Sequence, residues 1–157
     1  MAVDFGSKVV YYAPGDVRIE SVTAIPEISA GEVLVQVEAC AICGTDIKSF
    51  VSGNPRIEPP QVMGHEFCGT VIKTAGDVGS LRTGQRVTMA TTVGCGNCVY
   101  CRQGRTNLCR SAKALGFAYA GAMSSYVVIP AEAVRQGHLV EVGDLDASFA
   151  SLSEPLS

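Results

Sequence analysis

The chain has 157 residues, 47% hydrophobic and 17% charged, with 12 basic against 15 acidic residues and a net charge of −3. That composition suits one globular domain with its own core, and it excludes a disordered segment. No Lys/Arg cluster recommends a nucleic acid or an anionic membrane, no apolar run approaches the ~20 residues of a membrane helix, and Met1 to Lys8 has no signal-peptide stretch; a cytoplasmic protein is expected.

Most segments read as β. Residues 8–13, 17–22 and 32–39 are short, rich in Val and Ile, and bounded by glycine or proline. In the third, Val33, Val35 and Val37 alternate with Leu34, Gln36 and Glu38, the period of a half-buried strand. Residues 67–74, 86–92 and 126–129 read as further strands. Residues 45–50 read as one short helix, with Asp46 as its cap and Gly53 as its stop. The tail, 145–152, reads as the start of a second helix. The expectation is one mainly β domain with irregular loops, few short helices and no internal repeat.

Seven cysteines, four of them between Cys95 and Cys109, form an odd-numbered and poor disulfide framework. Cys95, Cys98, Cys101 and Cys109 have the spacing C-x2-C-x2-C-x7-C, which lets thiolates from one looping segment converge on a single ion. Four thiolates in a tetrahedron suit a structural zinc with no vacant position, in a lobe spanning about 94–110. An iron–sulfur cluster is the rival. Ferredoxin runs share the C-x2-C-x2-C opening but continue x3-C-P, whereas Arg110 follows the fourth cysteine here.

Outside the lobe, Cys43 and His65 suggest a second metal site of open type. A catalytic zinc takes about three protein ligands and leaves one position for water or substrate. One thiolate, one imidazole and one carboxylate meet that need, with Glu66 and Glu154 as the carboxylate candidates. Each residue also has an ordinary reading: Cys43 as a small buried hydrophobe and His65 as a satisfied structural histidine.

Cys43-Gly44-Thr45-Asp46, Gly64-His65-Glu66, the four-cysteine lobe and Ser153-Glu154-Pro155-Leu156 occur in the order and approximate spacing of the zinc-dependent medium-chain dehydrogenases. The chain resembles their sorbitol and threonine dehydrogenase branches from about Ser7 to its end. That resemblance implies a GroES-like β-barrel, with a catalytic zinc facing a Rossmann domain. It implies Cys43 and His65 as zinc ligands, completed by Glu66 or Glu154 directly or through water. Thr45 resembles the hydroxyl that hands on the alcohol's proton, and Asp46 the carboxylate that orients the ligand histidine. The implied reaction is oxidation of an alcohol or polyol. Zinc promotes the alkoxide, and hydride passes to NAD or NADP. The resemblance leaves room for a homo-oligomer at full length.

Several residues depart from that family or have other readings. Lys48 stands where many relatives have a proton-relaying histidine, and a lysine relays a proton only when its pKa is depressed. Gln85 replaces a usual aspartate at a turn. Cys40 and Cys43 form a C-x-x-C without the βαβ context of a redox pair. Cys68 reads as core, His138 as a solvated loop histidine, and Tyr119 and Tyr126 as either cleft or packing residues. No G-x-G-x-x-G follows a strand, so the cofactor-binding Rossmann domain is expected to be absent from this chain. Residues 145–157 are expected to begin the connection to it, and the chain to be a truncated or partial product. The competing function is a zinc-binding structural or assembly module with no activity of its own.

For the open site, inventory favours a carboxylate as third ligand. Cys40 and Cys43 could both ligate only if the strand end curled, and Cys68 lies an odd number of residues from His65 on a strand. Glu66 is preferred over Glu154.

Overall fold

The computed structural model describes residues 5–156. β1 (Ser7–Ala13) turns at Pro14–Gly15 and pairs antiparallel with β2 (Asp16–Ser21), while its other edge takes β4 (Gln61–Val62). A five-stranded sheet runs in the order β10 (Leu139–Glu141), β6 (Arg86–Met89), β5 (Glu66–Thr74), β3 (Val33–Ala41), β9 (Tyr126–Ile129). Every neighbour in it is antiparallel. β7 (Thr92–Val93) and β8 (Lys113–Ala114) form a small ribbon. The helices are short: α1 (Gly44–Ser52), α2 (Val99–Arg102), α3 (Ala131–Arg135) and α4 (Ala147–Ser151). The fold is mainly β, as expected.

Side chains from one face of the large sheet make the core. Val33, Val35, Phe67, Val71, Val87, Met89, Val127 and Ile129 pack together with Leu115 and Ala133. Each such side chain contributes about 1.5–3 kcal/mol by leaving water. The other face is solvated at Gln36 and Glu38, as the alternation in residues 33–38 suggests, but not at Leu34. Leu34 is fully buried alongside Val33 and Val35, because α4 packs over β3 and β5 and the register slips between Leu34 and Val35. Cys68, on that same covered face, is fully buried, as core.

Two local expectations need correction. The strand expected over 86–92 breaks after Met89, where the Ala90 amide donates to the His138 carbonyl. His138 is accordingly not a solvated loop residue. It is 7% exposed, and its Nδ1 lies 3.0 Å from the Ala90 carbonyl. α3, which sequence patterning did not reveal, precedes it, and the His138 amide donates to the Ala133 carbonyl of that helix at 3.0 Å. Gly53 does stop α1, as expected, but the cap is Cys43 rather than Asp46. Among the described residues no helix is long and apolar enough to cross a membrane.

Candidate metal centres

The antiparallel register of β3 and β5 builds the first site. Ala41, at the end of β3, faces Glu66, at the start of β5. The chain leaving β3 therefore carries Cys43 past the chain that enters β5 through His65. The ligand atoms of Cys43, His65 and Glu66 all lie within 4.8 Å of one another. Neighbours in sequence can both turn inward because Gly64, at φ +90°, admits a backbone path that other residues rarely take. A Cβ there would also meet Met123 Cγ at 2.5 Å and Cys40 Sγ at 2.8 Å.

The N-terminus of α1 holds the thiol. Cys43 Sγ accepts from the Thr45 amide at 3.5 Å, and Asp46 Oδ2 accepts from the Cys43 amide at 2.9 Å. This reciprocal box leaves a sulfur ligand at the positive end of the helix, which suits an atom that is anionic when it binds metal.

These residues fit a cation on structural grounds. His65 is 6% exposed and Glu66 4% exposed. His65 Nδ1 has no hydrogen-bond partner, since Asp46 Oδ1 stands off at 3.9 Å. A buried carboxylate beside a thiol and an imidazole is costly unless a positive charge joins them. Cys40 is not in the cluster. Burial, then the nearby Asp46 charge, pushes its thiol up to about 12.

The cluster opens on a cleft of about 460 Å³. Thr45 reaches it with Oγ1 3.4 Å from His65 Nε2. Lys48 shares a smaller recess of about 270 Å³ with Thr45 and Arg56. Glu154 also lines the cleft, where its carboxylate accepts from Thr91 Oγ1 at 3.5 Å, but it is not one of the three clustered ligands. Tyr119 and Tyr126 do not line the cleft, and Tyr119 packs against the core. Arg56, Lys113 and Phe117 do line it, although no motif marks them in the sequence. Phe117 packs its ring 5.6 Å from that of His65.

The second centre is the lobe. The sulfurs of Cys95, Cys98, Cys101 and Cys109 also lie within 4.8 Å of one another, with Cys98 and Cys101 3.5 Å apart. A tetrahedron with arms of about 2.3 Å has edges of about 3.8 Å, so this packing fits one ion. An iron–sulfur cluster would spread its ligand sulfurs farther. The amides of Asn97 and Cys98 pull the Cys95 thiol down to about 6, whereas burial pushes that of Cys101 up to about 11. The lobe is tied to the barrel where Gln136 Nε2 donates to the Gly94 carbonyl at 2.9 Å.

Comparison with known proteins agrees with the fold. The family model of the alcohol dehydrogenase GroES-like domain matches residues 29–139. An L-threonine 3-dehydrogenase from Bacillus velezensis is 40% identical over 135 residues, covering 84% of this chain and 38% of that protein. The chain thus spans about two fifths of the length of the curated relatives it matches. Galactitol-1-phosphate dehydrogenase from Escherichia coli superposes with a TM-score of 0.85 at 25% identity, over 96% of this chain and 42% of that one. An alcohol dehydrogenase from Escherichia coli CFT073, complexed with NADH, gives 0.83 at 32% identity, over 98% and 43%.

Proposed function

The chain belongs to the family of alcohol dehydrogenase GroES-like domains, and we propose that it is the zinc-holding catalytic part of an NAD(P)-dependent dehydrogenase of secondary alcohols or polyols. The observation that carries this reading is the Cys43–His65–Glu66 cluster, opening beside Thr45 on a cleft large enough for a small alcohol. The names of the similar proteins, which act on L-threonine and galactitol 1-phosphate, support the substrate class.

Cys43, His65 and Glu66 would hold the catalytic zinc, with Glu154, which lines the same cleft, as the alternative carboxylate. Cys95, Cys98, Cys101 and Cys109 would hold a structural one. Zinc held there would supply the Lewis acidity that eases loss of the substrate's hydroxyl proton, and a nicotinamide cofactor would supply the hydride acceptor. Thr45, whose hydroxyl lies 3.4 Å from His65 Nε2, would take that proton as it passes its own on to water in the adjoining recess, which Lys48 also lines. Asp46 orients this end of the site: one oxygen fixes the Cys43 amide while the other faces His65 Nδ1. Phe117 covers the imidazole and keeps water from that side. A purely structural zinc module would account for the lobe but not for a second cluster in which buried His65 and Glu66 stand beside the Cys43 thiol.

The test is to join this chain to a nicotinamide-binding domain and supply zinc, NAD or NADP, and a panel of secondary alcohols. Cofactor reduction should appear and should vanish in His65→Ala, which keeps the lobe's zinc. Unchanged turnover in His65→Ala would overturn the proposal.

A further inference from the structure

The charges lining the cleft run against the rest of the molecule. The chain is net negative, at −3. Yet the ionisable side chains facing the cleft, apart from His65, are Arg56, Lys113 and Glu154, two cations against one anion. If zinc is held by the Cys43 thiolate and the Glu66 carboxylate, that centre is neutral, so the excess positive charge belongs to the two cations.

Neither cation is in an ion pair among the described residues. The protein holds both in place by other means. The Arg56 amide donates to Asn54 Oδ1 at 3.0 Å, and the next residue, Ile57, is buried. That turn sets the guanidinium over the Phe117 ring, 5.5 Å from its centroid, and the same ring packs on His65. Arg56 is therefore one aromatic ring away from a proposed zinc ligand. Lys113 sits on β8, paired with Val93 of β7, and its ammonium lies 5.6 Å from the Tyr119 ring. Stacking of this kind fixes a cation's direction while leaving its hydrogen-bond donors free.

We propose that Arg56 and Lys113 determine substrate specificity by binding an anionic substituent, so that the preferred alcohols carry a carboxylate or phosphate a few bonds from the hydroxyl carbon. This rests on the dehydrogenase reading above. A guanidinium grips either anion through paired donors, and a lysine adds a point charge. Neutral polyols of the same size lack that hold. The ligand here is the substrate and not the pyrophosphate of a nicotinamide, because the cations lie within the cleft that His65 and Thr45 enter.

Matched pairs test this on the zinc-loaded chain: 3-hydroxybutyrate against 2-butanol, and glycerol 3-phosphate against glycerol, titrated by NMR. The anionic member of each pair should bind at least tenfold more tightly. The double variant Arg56→Gln, Lys113→Gln should bring the ratio close to one without changing zinc content or melting temperature. Equal binding of both members to a chain that holds two zinc ions overturns this inference alone. A chain with no zinc at the open site overturns the dehydrogenase reading and this inference with it. Displacement of 3-hydroxybutyrate by ADP-ribose would assign the cations to a cofactor pyrophosphate and refute the proposal.

Discussion

Replacing Cys98 by Ser should separate the two metal centres by what each loss does to the protein. Cys98 has two roles: its sulfur is a candidate ligand, and it caps α2 by accepting from the Cys101 amide at 3.5 Å. Serine keeps a capping oxygen, so the substitution mainly removes one ligand of four. Structural zinc sites of this kind bind with about 10–16 kcal/mol, so one ligand is worth about 3 kcal/mol, or more than a hundredfold in affinity. The lobe has little else to hold it, since Gly94 and Cys109 are the only buried residues from 94 to 110. The core lies outside it, on β3, β5, β6 and β9. Hydrogen exchange should therefore rise across α2 and the 3-10 turn at Thr106–Leu108 while β3 and β5 stay protected. Cys43→Ser should do little of this. It keeps a good N-cap for α1, leaves exchange in the lobe unchanged, and weakens metal binding at the open site. Unchanged lobe protection in Cys98→Ser, or equal loss of melting temperature in both variants, would refute this division.

Elemental analysis of chain purified without chelators should approach two zinc ions per molecule; iron, or less than one zinc, would contradict the ligand assignment. Glu66→Gln should weaken zinc at the open site far more than Glu154→Gln, because Glu66 already lies in the cluster; competition with a chromophoric chelator ranks the two. The chain alone should bind NAD only weakly, since no glycine-rich turn for a pyrophosphate is present, and micromolar affinity by calorimetry would contradict this. The Thr70 hydroxyl, then Arg86, holds the Glu38 carboxyl below its ordinary 4.5, so the stability it contributes is present above that value and lost as pH falls through the lower, folded one. Glu38→Gln should match the parent's relative stability only in that acid range, and an unchanged difference at neutral and acid pH would show that the pair contributes nothing.

How much of this was legible depends on how locally each feature is encoded. The lobe could be read almost completely, because its four ligands come from one short segment and their spacing is itself the geometry. The open site could be read only as residue types. Cys43 and His65 are far apart in sequence, and what joins them is the Ala41–Glu66 register, which depends on two bulges in the pairing of β3 and β5. Phe117 and Arg56 carried no signal, since their importance comes from stacking on His65 and on each other. His138 and Leu34 were misjudged for a common reason. His138 is bonded to Ala133 of α3, and Leu34 lies on a strand that α4 packs over, both helices of five residues and too short to leave a periodic pattern.

The same geometry explains why the open site need not be held by its metal. The segment leading into His65 is laced to two others by three backbone bonds. The Met63 amide donates to Val9 of β1, the Ala122 amide to Gly64, and the Met123 amide to Met63. Gly121 passes so close that a Cβ would lie 2.1 Å from the Met63 carbonyl, so no other residue could take its place without moving the strand entrance. Beneath this crossing sits a second small core of Tyr11, Ile57 and Met63, with Phe117 packed against it. Ile57 in turn anchors the turn that bears Arg56. The ligand histidine, the ring that shields it and the cation stacked on that ring thus stand on one rigid patch where the β1 sheet meets the larger sheet. The lobe has no such patch under it. Metal removal should accordingly cost the lobe its order and leave the cleft its shape, with the cleft ready to bind an ion again.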